Sequence, residues 1–179
     1  GNHVMNAATG AIIASPTVAQ RNSWPRGRFP GGSYGDYMSA AYDVLPDAAC
    51  ATCDGLELIC GNTVYAVDLS NPTNNQNGIT VATQMTPTGT YTDGLTSLAD
   101  WDGDGEMDII VTGFAGGTAN FYIWNPRADT VIIDRTNIPN GGDGAGRASV
   151  ADFDGDGNNE LAIVSKNRLH LYETDGSIK

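Results

Sequence analysis

Positive charge is scarce in this chain of 179 residues, where nine Lys and Arg stand against 21 Asp and Glu for a formal charge of −12. A nucleic-acid partner is thereby disfavoured, because holding a phosphate backbone takes clustered Lys and Arg. No apolar run approaches the ~20 residues of a membrane-crossing helix. Heptads and apolar residues at helical spacing are missing too, which argues against bundles and coiled coils. Histidine occurs only at His3 and His170. Ser33 and Ser39 stand in no nucleophile motif, and no glycine-rich phosphate loop leads into a helix. An enzyme is therefore not what the residues point to. The first ten residues, GNHVMNAATG, read as a strand running into a turn and not as a leader peptide.

Cysteine is nearly absent and all in one place, as Cys50, Cys53 and Cys60 in CATCDGLELIC. A zinc site wants four ligands, and neither histidine is near in sequence. One disulfide with a leftover thiol suits an exported protein, whereas reduced thiols suit a reducing compartment. Both readings stay open.

What is abundant is glycine, at 23 residues, between short apolar runs. That combination predicts β structure with many tight turns. The strands repeat. SLAD ending at Asp100 and SVAD ending at Asp152 lie 52 residues apart, and each is followed by an apolar run, MDIIV (107–111) and ELAIV (160–164). A second run follows in each copy, NFYIW (120–124) and RLHLY (168–172). Upstream, MSAAYDV (38–44), GLELIC (55–60) and TVYAVDL (63–69) resemble the same three stretches. The opening HVMNAATGAII (3–13) resembles RLHLYETDGSI (168–178).

Each copy divides into up to four strands, about 95–101, 107–113, 119–125 and 130–135 in the middle one. Four short strands in a repeat of this length predict the blade of a β-propeller. The expected fold class is all-β, with residues 1–20 as the tail of a preceding blade, 36–86 as a degenerate blade, 93–136 as a blade with an acidic loop and 145–179 as a second, incomplete one. Trp101, Phe153, Phe121, Tyr122 and Trp124 are expected to pack between blades. About three blades and a leading strand pair fall short of the roughly four to eight that close a propeller. A larger parent protein is the expectation.

Nine of the acids lie within Asp100–Asp108 and Asp152–Glu160. Counting from Asp100, carboxylates fall at positions 1, 3, 5 and 9 (Asp100, Asp102, Asp104, Asp108), with Gly105 at position 6. The second loop repeats the order with Asp152, Asp154, Asp156, Glu160 and Gly157. Alternate acids in a curled loop can face one centre, glycine permits the sharp bend, and the carbonyl of Glu106 or Asn158 can turn inward. Hard oxygen ligands in a flexible shell favour Ca²⁺ over Mg²⁺. An EF-hand is excluded, because position 12 is Val111 or Ile163 where a bidentate Glu is needed. Asp-Gly pairs also make plain hairpin turns, but two loops with four acids in register call for more than a turn.

The loops, D-x-D-G-D-G-x-x-[DE] followed by an apolar strand, resemble the FG-GAP/VCBS repeats of integrin α-subunit propellers and secreted bacterial proteins. The resemblance is strong over 95–125 and 146–176. It implies two Ca²⁺ sites, one from Asp100, Asp102, Asp104, Asp108 and the Glu106 carbonyl, the other from Asp152, Asp154, Asp156, Glu160 and the Asn158 carbonyl. Glu160 departs from the usual Asp and is longer. The first copy departs further: VLPDAACATCDGLE lacks the alternation, although Asp43, Asp47, Asp54 and Glu57 could still gather a cation, or a disulfide could stiffen the loop instead.

These readings predict a calcium-stabilised extracellular binding or scaffold module of an adhesin or secreted multidomain protein, contacting a protein or glycan. The rival is the propeller of a secreted polysaccharide-degrading lyase, hinted at by Arg21, Arg26 and Arg28 in RNSWPRGRF. A spacer in a surface filament is the third reading. Asp129-Thr130-Val131 resembles a bacterial glycosylation triplet that chance matches too readily to carry weight.

Overall fold

A computed structural model describes residues 3–16, 39–53, 55–70, 75–85, 94–115, 117–139 and 145–179. The arginine-rich segment 21–29, Ser33 and Asp54 lie outside them. The described regular elements are β-strands apart from one 3-10 turn, Asp47–Ala49. A leading hairpin pairs β1 (Val4–Met5) with β2 (Ile12–Pro16). Blade one follows with β3 (Ser39–Tyr42), β4 (Glu57–Cys60), β5 (Thr63–Val67) and β6 (Asn75–Gln84). Blade two holds β7 (Gly94–Ala99), β8 (Asp108–Ala115), β9 (Thr118–Asn125) and β10 (Thr130–Asn137). Blade three holds β11 (Ser149–Ala151), β12 (Glu160–Ser165) and β13 (Arg168–Tyr172), with a lone bridge from Tyr172 to Ile178 where a fourth strand would lie.

Within each blade consecutive strands pair antiparallel, the up-and-down order of a propeller blade. The leading hairpin joins blade one at its outer edge, β2 running parallel to β6 through Ala14 opposite Asn75 and Pro16 opposite Ile79. The expected strands of the middle copy are present within a few residues at each end.

Side-chain alternation then builds the seams. On blade two, Ile109, Val111, Tyr122 and Trp124 face blade one and pack with Ile59, Val64, Val44 and Leu45. Their neighbours Ile110, Phe121 and Ile123 face blade three and pack with Leu161, Ile163 and Tyr172. A strand covered on both faces needs apolar residues at successive positions, which is why β8 and β9 read as unbroken hydrophobic runs. Each large side chain fully buried here contributes roughly 1.5–3 kcal/mol. Phe121 and Tyr172 meet across the second seam with ring centroids 4.7 Å apart and planes tilted by 60°, an arrangement that suits the ring quadrupoles.

Polar pins follow the same alternation. On β7, Thr96 Oγ1 accepts from the Gly61 N–H of blade one at 2.6 Å, while Ser97 Oγ donates to the Ala148 carbonyl at the edge of blade three at 2.7 Å. Consecutive residues thus bind opposite neighbours and fix the register of the stack.

Four of the five aromatic residues expected between blades lie there. The exception is Phe153, which is 49% exposed although its repeat partner Trp101 is 2% exposed. Trp101 lies in the seam between blades two and three. Phe153 is exposed in the loop of blade three, and Val164 and Leu169, opposite each other on β12 and β13, are exposed where no further blade covers them among the described residues. His170 is buried while Leu169 is exposed, so the imidazole sits on the side opposite Leu169, near Tyr172. No described helix is long and apolar enough to cross a membrane.

Candidate metal centre

Both acidic loops join the first two strands of a blade, β7 to β8 and β11 to β12. Their curl is set by glycine. Gly103 and Gly105 have φ of 77° and 91°, and Gly155 and Gly157 have 81° and 92°. These left-handed values at positions 4 and 6 suit glycine, whose missing Cβ removes the steric penalty.

The backbone N–H groups then organise the carboxylates. In the first loop Asp100 Oδ2 accepts from Gly105 N at 3.1 Å, Asp102 Oδ1 from Asp104 N at 3.2 Å and Asp104 Oδ1 from Glu106 N at 2.8 Å. The second loop repeats this: Asp152 Oδ2 accepts from Gly157 N at 3.0 Å, Asp154 Oδ1 from Asp156 N at 3.1 Å and Asp156 Oδ1 from Asn158 N at 2.8 Å. The bonds of Asp102, Asp104, Asp154 and Asp156 to backbone two residues on are the Asx turns that Asp favours, while those of Asp100 and Asp152 reach five residues on and close the curl.

Position 9 closes each loop. Asp108 Oδ2 accepts from Trp101 N at 2.9 Å, and Glu160 Oε2 from Phe153 N at 2.7 Å. Both side chains are fully buried. The degenerate blade keeps this clasp: Glu57 Oε2 accepts from Val44 N at 2.9 Å and Leu45 N at 3.1 Å. The acid that opens the second strand of the blade therefore clasps its loop even where the alternating acids are gone.

The inward oxygens gather. In the first loop, one carboxylate oxygen from each of Asp100, Asp102 and Asp108 lies within 4.8 Å of the others. Asp104 stands outside that trio, with Oδ2 3.5 Å from the Asn125 amide nitrogen. In the second loop Asp152, Asp154, Asp156 and Glu160 form a complete quartet by the same measure. Glu106 and Asn158 hold position 7, half-buried and exposed respectively.

A cation would answer an electrostatic need. Asp100 Oδ1 and Asp108 Oδ1 are buried and take no hydrogen bond. Burial raises the Asp108 pKa to about 7, helped by Asp102, Asp104 and Asp100 and opposed by the Trp101 N–H. Unpaired carboxylates out of water favour the neutral form unless a positive charge compensates. Converging hard oxygens of this kind suit a divalent cation such as Ca²⁺.

The chain's own cations also reach the loops, which the sequence spacing did not signal. Arg127, in the turn after β9, pairs with the Glu106 side chain at 3.0 Å and with Asp43 of blade one at 3.3 Å. Lys179 Nζ lies 2.5 Å from Asp154 Oδ2, 2.9 Å from Glu173 Oε1 and 3.5 Å from Glu160 Oε1. The ammonium holds the Asp154 carboxyl below its usual range. Asn159 donates from its side chain to the Asp100 carbonyl at 2.8 Å and links the two loops across the seam.

The first copy is built differently. Asp43 is engaged by Arg127, Asp47 begins the 3-10 turn, and the described acids of this blade form no gathered cluster. Burial raises the Glu57 pKa in spite of its two backbone hydrogen bonds. A disulfide joins Cys50 to Cys53, and Cys60 is a buried free thiol.

Residues 100–163 match the family model of the FG-GAP-like repeat. The matched stretch runs from the first acid of one loop into the strand after the other, and it is an FG-GAP-like repeat region. No curated protein and no solved structure matches the chain.

Proposed function

We propose that this FG-GAP-like repeat segment is a calcium-stabilised binding and scaffold module of an extracellular protein. The observation that carries it is the pair of equivalent loops in adjacent blades, each converging the carboxylate oxygens of positions 1, 3 and 9 to within 4.8 Å, with position 5 added in the second loop. Asp100, Asp102 and Asp108 would hold one ion, and Asp152, Asp154, Asp156 and Glu160 the other, with Asp104 rotating in from Asn125. The ions supply charge neutralisation and tie the entry of each β-hairpin. Their role in this reading is structural, and the blade edges and inter-blade loops meet a protein or glycan partner.

Affinities of roughly 10⁻⁴–10⁻³ M are expected, in the range of extracellular calcium modules. Ions that bind only the folded chain stabilise it by mass action. Thermal melts in 5–10 mM CaCl₂ should therefore lie several degrees above melts in EDTA, by roughly 2–4 °C for each kcal/mol gained in a domain of this size. Melting curves that superimpose with calcium and with EDTA would overturn the proposal.

A further inference from the structure

The two acidic loops differ in one respect that the repeat does not foretell: only the second has a chain cation against its gathered carboxylates among the described residues. Lys179 arrives there on ordered backbone. Its N–H donates to the Leu171 carbonyl at 3.0 Å, and Ile178 bridges to Tyr172. The chain reverses before it at Thr174-Asp175-Gly176, where Gly176 has φ of 80° and Asp175 Oδ1 accepts from Ser177 N at 2.8 Å. The ammonium is thus delivered to the rim of the loop and touches two of the four carboxylates that converge there, Asp154 and Glu160. Its third contact, Glu173, belongs to the turn and not to the quartet. In the first loop, by contrast, Arg127 is taken up by the Glu106 side chain and Asp43, outside the trio.

We infer that Lys179 is a tethered competitor for the second loop, neutralising Asp154 and Glu160 in the metal-free state and swinging away when a divalent cation enters. This rests on the calcium reading above. A divalent ion seated among these carboxylates repels an ammonium held against Asp154 Oδ2 and Glu160 Oε1, so uptake at the second loop includes the loss of the lysine contacts. Glu173 offers the displaced ammonium a partner outside the quartet. The first loop carries no such penalty, so the lysine weakens uptake at the second loop alone. The ion thus frees the ammonium from the loop while the backbone bonds that hold the turn to β13 stay in place.

The test is a calorimetric CaCl₂ titration of the full chain as wild type, Lys179→Met, Lys179→Arg and Asp152→Asn. Two uptake steps are expected in the wild type. Lys179→Met should tighten one step about fivefold, the upper end of what one exposed ion pair contributes, and leave the other unchanged. Lys179→Arg, which keeps the charge, should remain weak, and Asp152→Asn should remove the step that Lys179→Met tightens. In the wild type, saturating calcium should raise acetylation of the Lys179 amine, read by mass spectrometry. Calcium uptake with equal affinities in wild type and Lys179→Met, and unchanged acetylation, would overturn the role of Lys179 and leave the calcium reading standing. No uptake in any variant would overturn both.

Discussion

Asp108 concentrates the chemistry of the first loop in a single side chain. One oxygen accepts from the Trp101 N–H and the other is buried without a hydrogen bond. Desolvation, with three neighbouring aspartates, holds its pKa at about 7 against an ordinary value of 3.8. The direction fixes the pH dependence. A carboxyl whose folded pKa is raised favours folding in its protonated form, so its contribution is present below the unfolded value and is lost as pH rises towards 7. The metal-free protein should therefore lose stability from this group between about pH 4 and pH 7. A bound ion needs the deprotonated form, so calcium should bind the first loop more weakly as pH falls through 7, with release of a proton on binding. Calcium titrations of wild type and Asp108→Asn at pH 8 and pH 6 check this. The wild type should tighten as pH rises. Asp108→Asn should bind weakly at both pH values, and a wild-type affinity that does not change with pH overturns the assignment.

At the scale of the element, two solutions to one problem stand side by side. Each first hairpin must leave its blade and return, and in blades two and three the loop is held by alternating carboxylates on backbone N–H groups. In blade one the loop is longer, and the Cys50–Cys53 disulfide, the Glu57 clasp and the Arg127–Asp43 pair hold it. Because the disulfide closes only a short loop, chain entropy limits its contribution to about 2 kcal/mol. Thiol labelling in denaturant should count one reactive cysteine, Cys60, before reduction and three after it. Melting after reduction should fall by at most about 4–8 °C, because the clasp persists. Three reactive thiols without reductant would remove the disulfide from this account. The acidic loops were legible in the sequence because their spacing repeats residue for residue, from Asp100 and Asp152 to Asp108 and Glu160. The clasp at Glu57 was visible only as an acid 51 residues before Asp108, about one repeat upstream. Arg127 and Lys179 were not legible, because they reach the loops through turns whose geometry no local pattern encodes.

At the scale of the whole molecule the chain is a stack whose cohesion lies in the seams between sheets. Blade two is apolar on both faces and covered on both, by blade one through Trp124 and Tyr122 and by blade three through Phe121 and Ile123. The sequence made Trp101 and Phe153 equivalent, since both follow the first aspartate of a loop. Their environments differ because a seam requires a second sheet, and residue identity cannot show whether one is there. That difference has a measurable consequence. Removing the Trp101 side chain empties a packed seam and should cost about 3–5 kcal/mol, as large core deletions do. Removing Phe153, half in solvent, leaves no comparable cavity, and Phe153→Ala should lie within about 1 kcal/mol of wild type in this chain. Urea unfolding of the two variants, both in saturating calcium so that loop occupancy is held constant, separates the effects. A shared transition midpoint would mean that the seam around Trp101 does not hold blades two and three together. If a longer form of the protein supplies a blade against Val164 and Leu169, Phe153→Ala should become strongly destabilising in that form alone. The same substitution thus reports whether the outer face of blade three is a surface or half of a seam.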